Sequence, residues 1–180
     1  MTKDELLRKI VEVGLERRGS IGVAACRLDS GEEVRLHCEG EFPTGSVIKL
    51  PILVALYRKA LEGKLNLEEP VTPNPEHYMT GTGVLNDLSR NLTLSLRDMA
   101  RLMIIVSDNV ATNLIIDLVG RAYVNEAMQD YGLKDTWVRQ RLDYASKAWP
   151  DFKRVATSSP SDLVLLLSRI SRREILTRES

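Results

Sequence analysis

Hydrophobic and polar positions divide the chain into segments of different period. Over residues 3–17, Leu6, Leu7, Ile10, Val11, Val13 and Leu15 recur at roughly helical spacing, which predicts an amphipathic helix. Thr2, with Glu5 three residues later, supplies a capping-box pair at its start. Two runs, 21–28 and 33–38, flank the turn Asp29-Ser30-Gly31-Glu32 and predict a β-hairpin. With Leu28 opposite Glu33, Cys26 falls opposite Arg35 and Cys38 opposite Val23. Residues 47–61 are apolar nearly all round, as in a buried helix. Pro51 fits that helix near its first turn, and Gly63 is placed to end it. Residues 66–90 are turn-rich, with three prolines and two glycines. Ser95 and Asp98 open a helix over 96–106. Another spans 109–119 and stops at Gly120, and a short one covers 124–131. A polar, irregular stretch follows over 139–158. Ser159 then caps a last helix, with Pro160 at its first position and Asp162 three residues after the cap. The whole predicts one helix-rich α+β domain over residues 1–180, with a single small hairpin.

Composition narrows the function classes. A chain of 180 residues is long enough for a real core, and 43% hydrophobic content is ordinary for a globular protein. Lys plus Arg and Asp plus Glu balance at 25 each, which argues against nucleic acid as a partner, since that needs a basic excess on one face. No stretch approaches the ~20 apolar residues of a membrane span, so no membrane partner is expected. The N-terminus has no apolar signal core; the expectation is a cytoplasmic protein, or an exported one whose signal has been removed. In the hairpin register above, Cys26 and Cys38 lie too far apart for a disulfide, so both read as free, inert thiols. His37 and His77 are the only histidines, and neither sits in a metal-ligand spacing.

Two short stretches carry chemistry. In Ser46-Val47-Ile48-Lys49 the serine lies one helical turn before the lysine, and residues at i and i+3 share a helix face. The Lys49 amine can therefore reach the Ser46 hydroxyl, which is a weak nucleophile until a base takes its proton. Further on, Ser107-Asp108-Asn109 offers a hydroxyl, a carboxylate and an amide. Thr80-Gly81-Thr82-Gly83 resembles a phosphate loop only superficially. It follows no strand and lacks the Gly-Lys-Ser/Thr ending, so it reads as a plain loop.

The two stretches together, with their flanks and spacing, resemble the class A β-lactamase and penicillin-recognising serine hydrolase family. Residues 42–51 are similar to its nucleophile helix, and 94–120 to the helix, Ser-Asp-Asn loop and following helix. The resemblance implies a helix-rich β-lactamase-like domain, acyl transfer on a β-lactam amide through an acyl-enzyme, and no metal or organic cofactor. Ser46 would be the acylated nucleophile and Lys49 its proton acceptor or relay. Ser107 would pass the proton to the leaving nitrogen, and Asn109 would contact the substrate and Lys49. Asp108 would hold the loop through backbone N–H groups.

The family's deacylating carboxylate lies in an Arg-x-Glu pattern that is Arg141-Leu142-Asp143 here. Asp143 is either the deacylation base, reaching in with a shorter side chain, or an ion-pair partner of Arg141. The family's water-positioning asparagine is Lys147 here, and its loop-closing aspartate is Ala156. The later Lys-Thr-Gly element, which binds the substrate carboxylate, does not occur in this sequence. The chain therefore matches the N-terminal part of the family's domain, without its C-terminal strands. Two other readings stay open: an esterase or peptidase-like relative, and a non-catalytic fragment acting by association. In the latter an unpaired hairpin edge would seek another chain, giving self-association.

Overall fold

The structure, a computed structural model, describes residues 2–16, 19–142 and 152–176. Helix α1 (Lys3–Glu16) carries the expected cap: the Glu5 amide donates to Thr2 Oγ1 at 3.2 Å and the Thr2 amide to Glu5 Oε2 at 2.8 Å. Strands β1 (Val23–Cys26) and β2 (Glu33–Leu36) form the expected antiparallel hairpin, but in another register. Cys26 pairs with Glu33 rather than Arg35, and Val23 with Leu36 rather than Cys38. Gly31, at φ +73°, donates its amide to the Arg27 carbonyl at 2.8 Å. That left-handed residue closes the turn one residue earlier on both strands. The shift totals two residues, so each side chain keeps its face. Cys26 and Cys38 are free thiols, and Cys38 is buried just past β2.

Strand β3 (Phe42–Pro43) leads into a 3-10 turn over Gly45–Ile48, and only then does helix α2 (Lys49–Leu61) begin. The sequence predicts one helix from residue 47; the tighter turn places Ser46 before the helix proper. Gly63, at φ +70°, ends α2 as expected. Its amide donates to the Ala60 carbonyl and that of Lys64 to the Lys59 carbonyl, the paired bonds of a Schellman end. Strand β4 (Pro70–Val71) pairs with β5 (Leu94–Ser95), after which Ser95 caps helix α3 (Leu96–Ile105). Helix α4 (Asn109–Val119) ends at Gly120, which also starts α5 (Arg121–Asp130). That shared glycine begins α5 three residues before the predicted position.

The chain between α5 and the last helix, including the predicted irregular stretch 139–158, contains more order than expected. Strand β6 (Trp137–Val138), helix α6 (Phe152–Val155) and strand β7 (Ala156–Ser158) precede the capped last helix, α7 (Pro160–Ser171). β7 is the centre of a three-stranded antiparallel sheet in the order β3-β7-β6. Strands of two or three residues have no period to read, so the pattern showed only the hairpin.

The core forms around α4, which packs against α2, α3 and α5. Ile52 and Leu56 of α2, Met99 and Met103 of α3, Val110 and Ile115 of α4 and Met128 of α5 are all fully buried. Each such side chain contributes on the order of 1.5–3 kcal/mol. α1 buries no residue fully, and Val13 and Leu15 on it are exposed. Among the described residues no helix is long and apolar enough to cross a membrane.

Candidate active site

The sheet β3-β7-β6 and the core meet at the turn that carries Ser46. β3 delivers the chain into that turn, and the Thr44 amide ties it to the Ala156 carbonyl of β7 at 3.4 Å. Ser46 is exposed, whereas Lys49, one turn later, is 2% exposed. Lys49 Nζ donates to the Ser107 carbonyl at 2.6 Å, to Ser107 Oγ at 2.8 Å and to Asn109 Oδ1 at 2.9 Å. These three bonds use every donor of an ammonium. Ser107 Oγ lies 2.9 Å from Ser46 Oγ. The structure therefore brings Ser46, Lys49, Ser107 and Asn109 together. The link from the amine to Ser46 Oγ runs through the Ser107 hydroxyl, where the i, i+3 spacing suggested direct contact. Burial pushes the Lys49 amine down to about 8, against the opposing pull of the Asp108 carboxylate. Near that value the group can both take and return a proton close to neutral pH.

The loop between α3 and α4 is held in a strained form. Ser107 has φ +55°, a left-handed backbone that disfavours a side chain. Asp108, fully buried, stabilises it by accepting from the Ala111 amide at 3.0 Å, as the cap of α4, and from the Val84 and Leu85 amides at 2.7 and 2.9 Å. Its role as a backbone anchor is as the sequence suggested. Gly83, at φ +121°, makes this contact sterically feasible, because a Cβ there would lie 2.3 Å from Asp108 Oδ2. The loop that resembles a phosphate site only superficially is thus a strap across the Ser107 loop. Its Thr82 hydroxyl donates to the Ser107 carbonyl at 2.7 Å. The glycines at 81 and 83 were the available signal, but nothing local tied them to residue 107.

Asp143 and Lys147 lie outside the described residues. Arg141, just before them, pairs with Asp117 of α4 at 2.8 Å and with Glu76 at 3.2 Å. These carboxylates come from other segments, which the local pattern could not show. Next to it, the Leu142 amide donates to Asn113 Oδ1 at 2.8 Å, and Asn113 Nδ2 donates to the Leu142 carbonyl at 3.2 Å. Asn113, on the buried face of α4, thus fixes where the chain enters segment 143–151. His77 is buried beside Asp117, its Nε2 3.0 Å from Asp117 Oδ2, while its Nδ1 accepts the Asn74 amide at 3.0 Å. Among the described residues no group of three or more His, Cys, Asp or Glu could hold a metal.

Fold and site together place an exposed serine just before a buried helix, joined through a second serine to a buried lysine. The sequence pattern of the Beta-lactamase enzyme family matches residues 5–180, and the chain belongs to that family. It is 21% identical over 181 residues to the β-lactamase VEB-1 of Pseudomonas aeruginosa, which covers 98% of this chain and 60% of that protein. The solved structure of PBP-A superposes with a TM-score of 0.79 at 36% identity, over 88% of this chain and 57% of that one. A PBP-A mutant solved as an acyl-enzyme with penicillin-G matches with a TM-score of 0.78 at the same identity, over 88% of this chain and 58% of that one.

Proposed function

We propose that this chain carries the acylation machinery of a β-lactamase-like serine hydrolase acting on β-lactam amides. The observation that carries the reading is the unbroken series Lys49 Nζ, Ser107 Oγ, Ser46 Oγ at 2.8 and 2.9 Å. With the amine neutral, its lone pair accepts the Ser107 hydroxyl proton, and Ser107 Oγ accepts that of Ser46. Ser46 Oγ then attacks the lactam carbonyl carbon, forming the ester bond. As the carbon–nitrogen bond breaks, the Ser107 hydroxyl protonates the leaving nitrogen, and the Lys49 proton replaces it on Ser107. Water finally cleaves the ester and restores Ser46. Asn109 holds the amine through its Oδ1 and offers its amide nitrogen to the substrate. The acyl-enzyme of the PBP-A mutant with penicillin-G supports this substrate class for a relative on the same scaffold.

The family's second carboxylate would activate the deacylating water, and Asp143 is our candidate for it. Aspartate is one methylene shorter than the glutamate of that pattern, and a base must come within about 2.6–3.2 Å of its water. Deacylation is accordingly the slow step. A fluorescent penicillin should label the protein, and Ser46→Ala should abolish the label; equal labelling of the variant overturns the assignment. Mass spectrometry should show a persistent adduct, longer-lived in Asp143→Asn. An unaltered lifetime removes Asp143 from the reaction and favours the esterase-like alternative.

A further inference from the structure

The strap over residues 80–85 meets the Ser107 loop at successive points. The Thr82 carbonyl accepts the Asn109 amide at 3.0 Å, and the Thr82 hydroxyl donates to the Ser107 carbonyl at 2.7 Å. Thr82 itself is exposed, so its side chain contributes little by burial. The Ser107 carbonyl oxygen is also the one that receives the 2.6 Å bond from Lys49 Nζ. Two donors therefore share it. One, on Lys49, changes charge in the proposed reaction; the other, on Thr82, does not. A charge-assisted hydrogen bond is about twice as strong as a neutral one, so the grip of Lys49 on this carbonyl weakens whenever the amine is neutral. At that moment the left-handed backbone of Ser107 has least to hold it.

We propose that Thr82 is a positioning residue for the proton relay: its hydroxyl fixes the Ser107 carbonyl, and so aims Ser107 Oγ at Ser46, while Lys49 passes between amine and ammonium. This rests on reading Ser46, Ser107 and Lys49 as that relay. Thr82 touches no reacting atom and acts only through the Ser107 backbone. Removing its hydroxyl also leaves the carbonyl a better acceptor for the ammonium, which favours the charged lysine and raises its titration midpoint.

The test uses the purified chain with Thr82→Val, which keeps the shape and loses the hydroxyl, and Thr82→Ser, which keeps the hydroxyl. Labelling rates with a fluorescent penicillin are measured on both sides of the Lys49 midpoint. Thr82→Val should slow labelling about tenfold, the loss of one hydrogen bond, and move the pH midpoint upward. Thr82→Ser should restore both. A Thr82→Val protein with the wild-type rate and midpoint overturns the proposal, as does a Thr82→Ser protein as slow as Thr82→Val. NMR of the Ser107 carbonyl carbon and of the Lys49 side chain gives a readout without acylation. Both signals should shift in Thr82→Val and stay in place in Thr82→Ser. If the wild-type chain takes no label, the hydrolase reading fails by itself, and these signals still decide the Thr82 contact: no shift in Thr82→Val overturns it.

Discussion

The loop at residues 107–109 and the N-terminal unit of α1 with its hairpin place their polar and apolar groups in opposite ways. The loop and the first turns of α4 that follow it bury polar groups: Asp108, Asn109, Thr112 and Asn113 are all within 2% of full burial, and each has a hydrogen-bond partner. The N-terminal unit exposes apolar ones: Val11, Val13 and Leu15 are 42%, 51% and 75% exposed, and α1 has no buried residue. Buried polar groups depend strongly on their partners, since each lost one leaves a desolvated donor or acceptor behind. Exposed apolar groups contribute little to the fold that carries them. Stability and chemistry are therefore concentrated in the same few residues around α4, while α1 adds no buried residue to either, and the hairpin is tied instead to α7, where the Ser161 amide donates to the Cys38 carbonyl at 3.0 Å.

The strongest test of that contrast is Asp108→Ala. It strips the partner from three backbone amides and the nearby charge from Lys49, and should lower unfolding stability by about 3–5 kcal/mol, read from denaturant melts. A loss below about 1 kcal/mol would mean the loop is not the anchored region described here. Next in size is pH. The Lys49 amine, pushed down to about 8 by burial, must be neutral to accept a proton. Acylation should therefore rise about tenfold per pH unit below that midpoint and level off above it. The folded midpoint lies below the ordinary lysine value of about 10.4, so the unfolded chain binds more protons between the two, and stability should rise with pH across that window. A flat acylation profile would remove Lys49 from the relay.

Asn113→Ala removes both bonds to Leu142 and should cost about 2 kcal/mol, with larger losses in activity if segment 143–151 supplies the deacylating base. On the other side of the comparison, Leu15→Lys should change stability by less than about 0.5 kcal/mol. A larger loss would show that something covers the α1 face in solution, and sedimentation would then report whether a second copy does so.

Helix ends were legible because they are local. Thr2 with Glu5, Ser95 with Asp98, and Ser159-Pro160 with Asp162 each place their chemistry within four residues, and all three caps formed. The hairpin was legible but its register was not, since one amide bond from Gly31 chose the loop. Ser46, Lys49, Ser107 and Asn109 could be named from spacing and resemblance. What stayed hidden was tertiary: Thr82 reaching Ser107 across 25 residues, and Arg141 turning to Asp117 and Glu76. No periodicity encodes such contacts, because each depends on how separate segments pack.

The positive φ of Ser107 has a consequence for anyone redesigning this scaffold. A glycine would sit there without the Cβ clash, which is worth about 1–2 kcal/mol for an L residue. The same exchange deletes the hydroxyl between Ser46 and Lys49 and leaves one N–H of the buried Lys49 ammonium without its acceptor, a loss of about 1–3 kcal/mol that offsets the relief. The strained serine is therefore a marker that separates two objectives: a library sorted for melting temperature should be nearly indifferent between serine and glycine at residue 107, while one sorted for acylation keeps the serine.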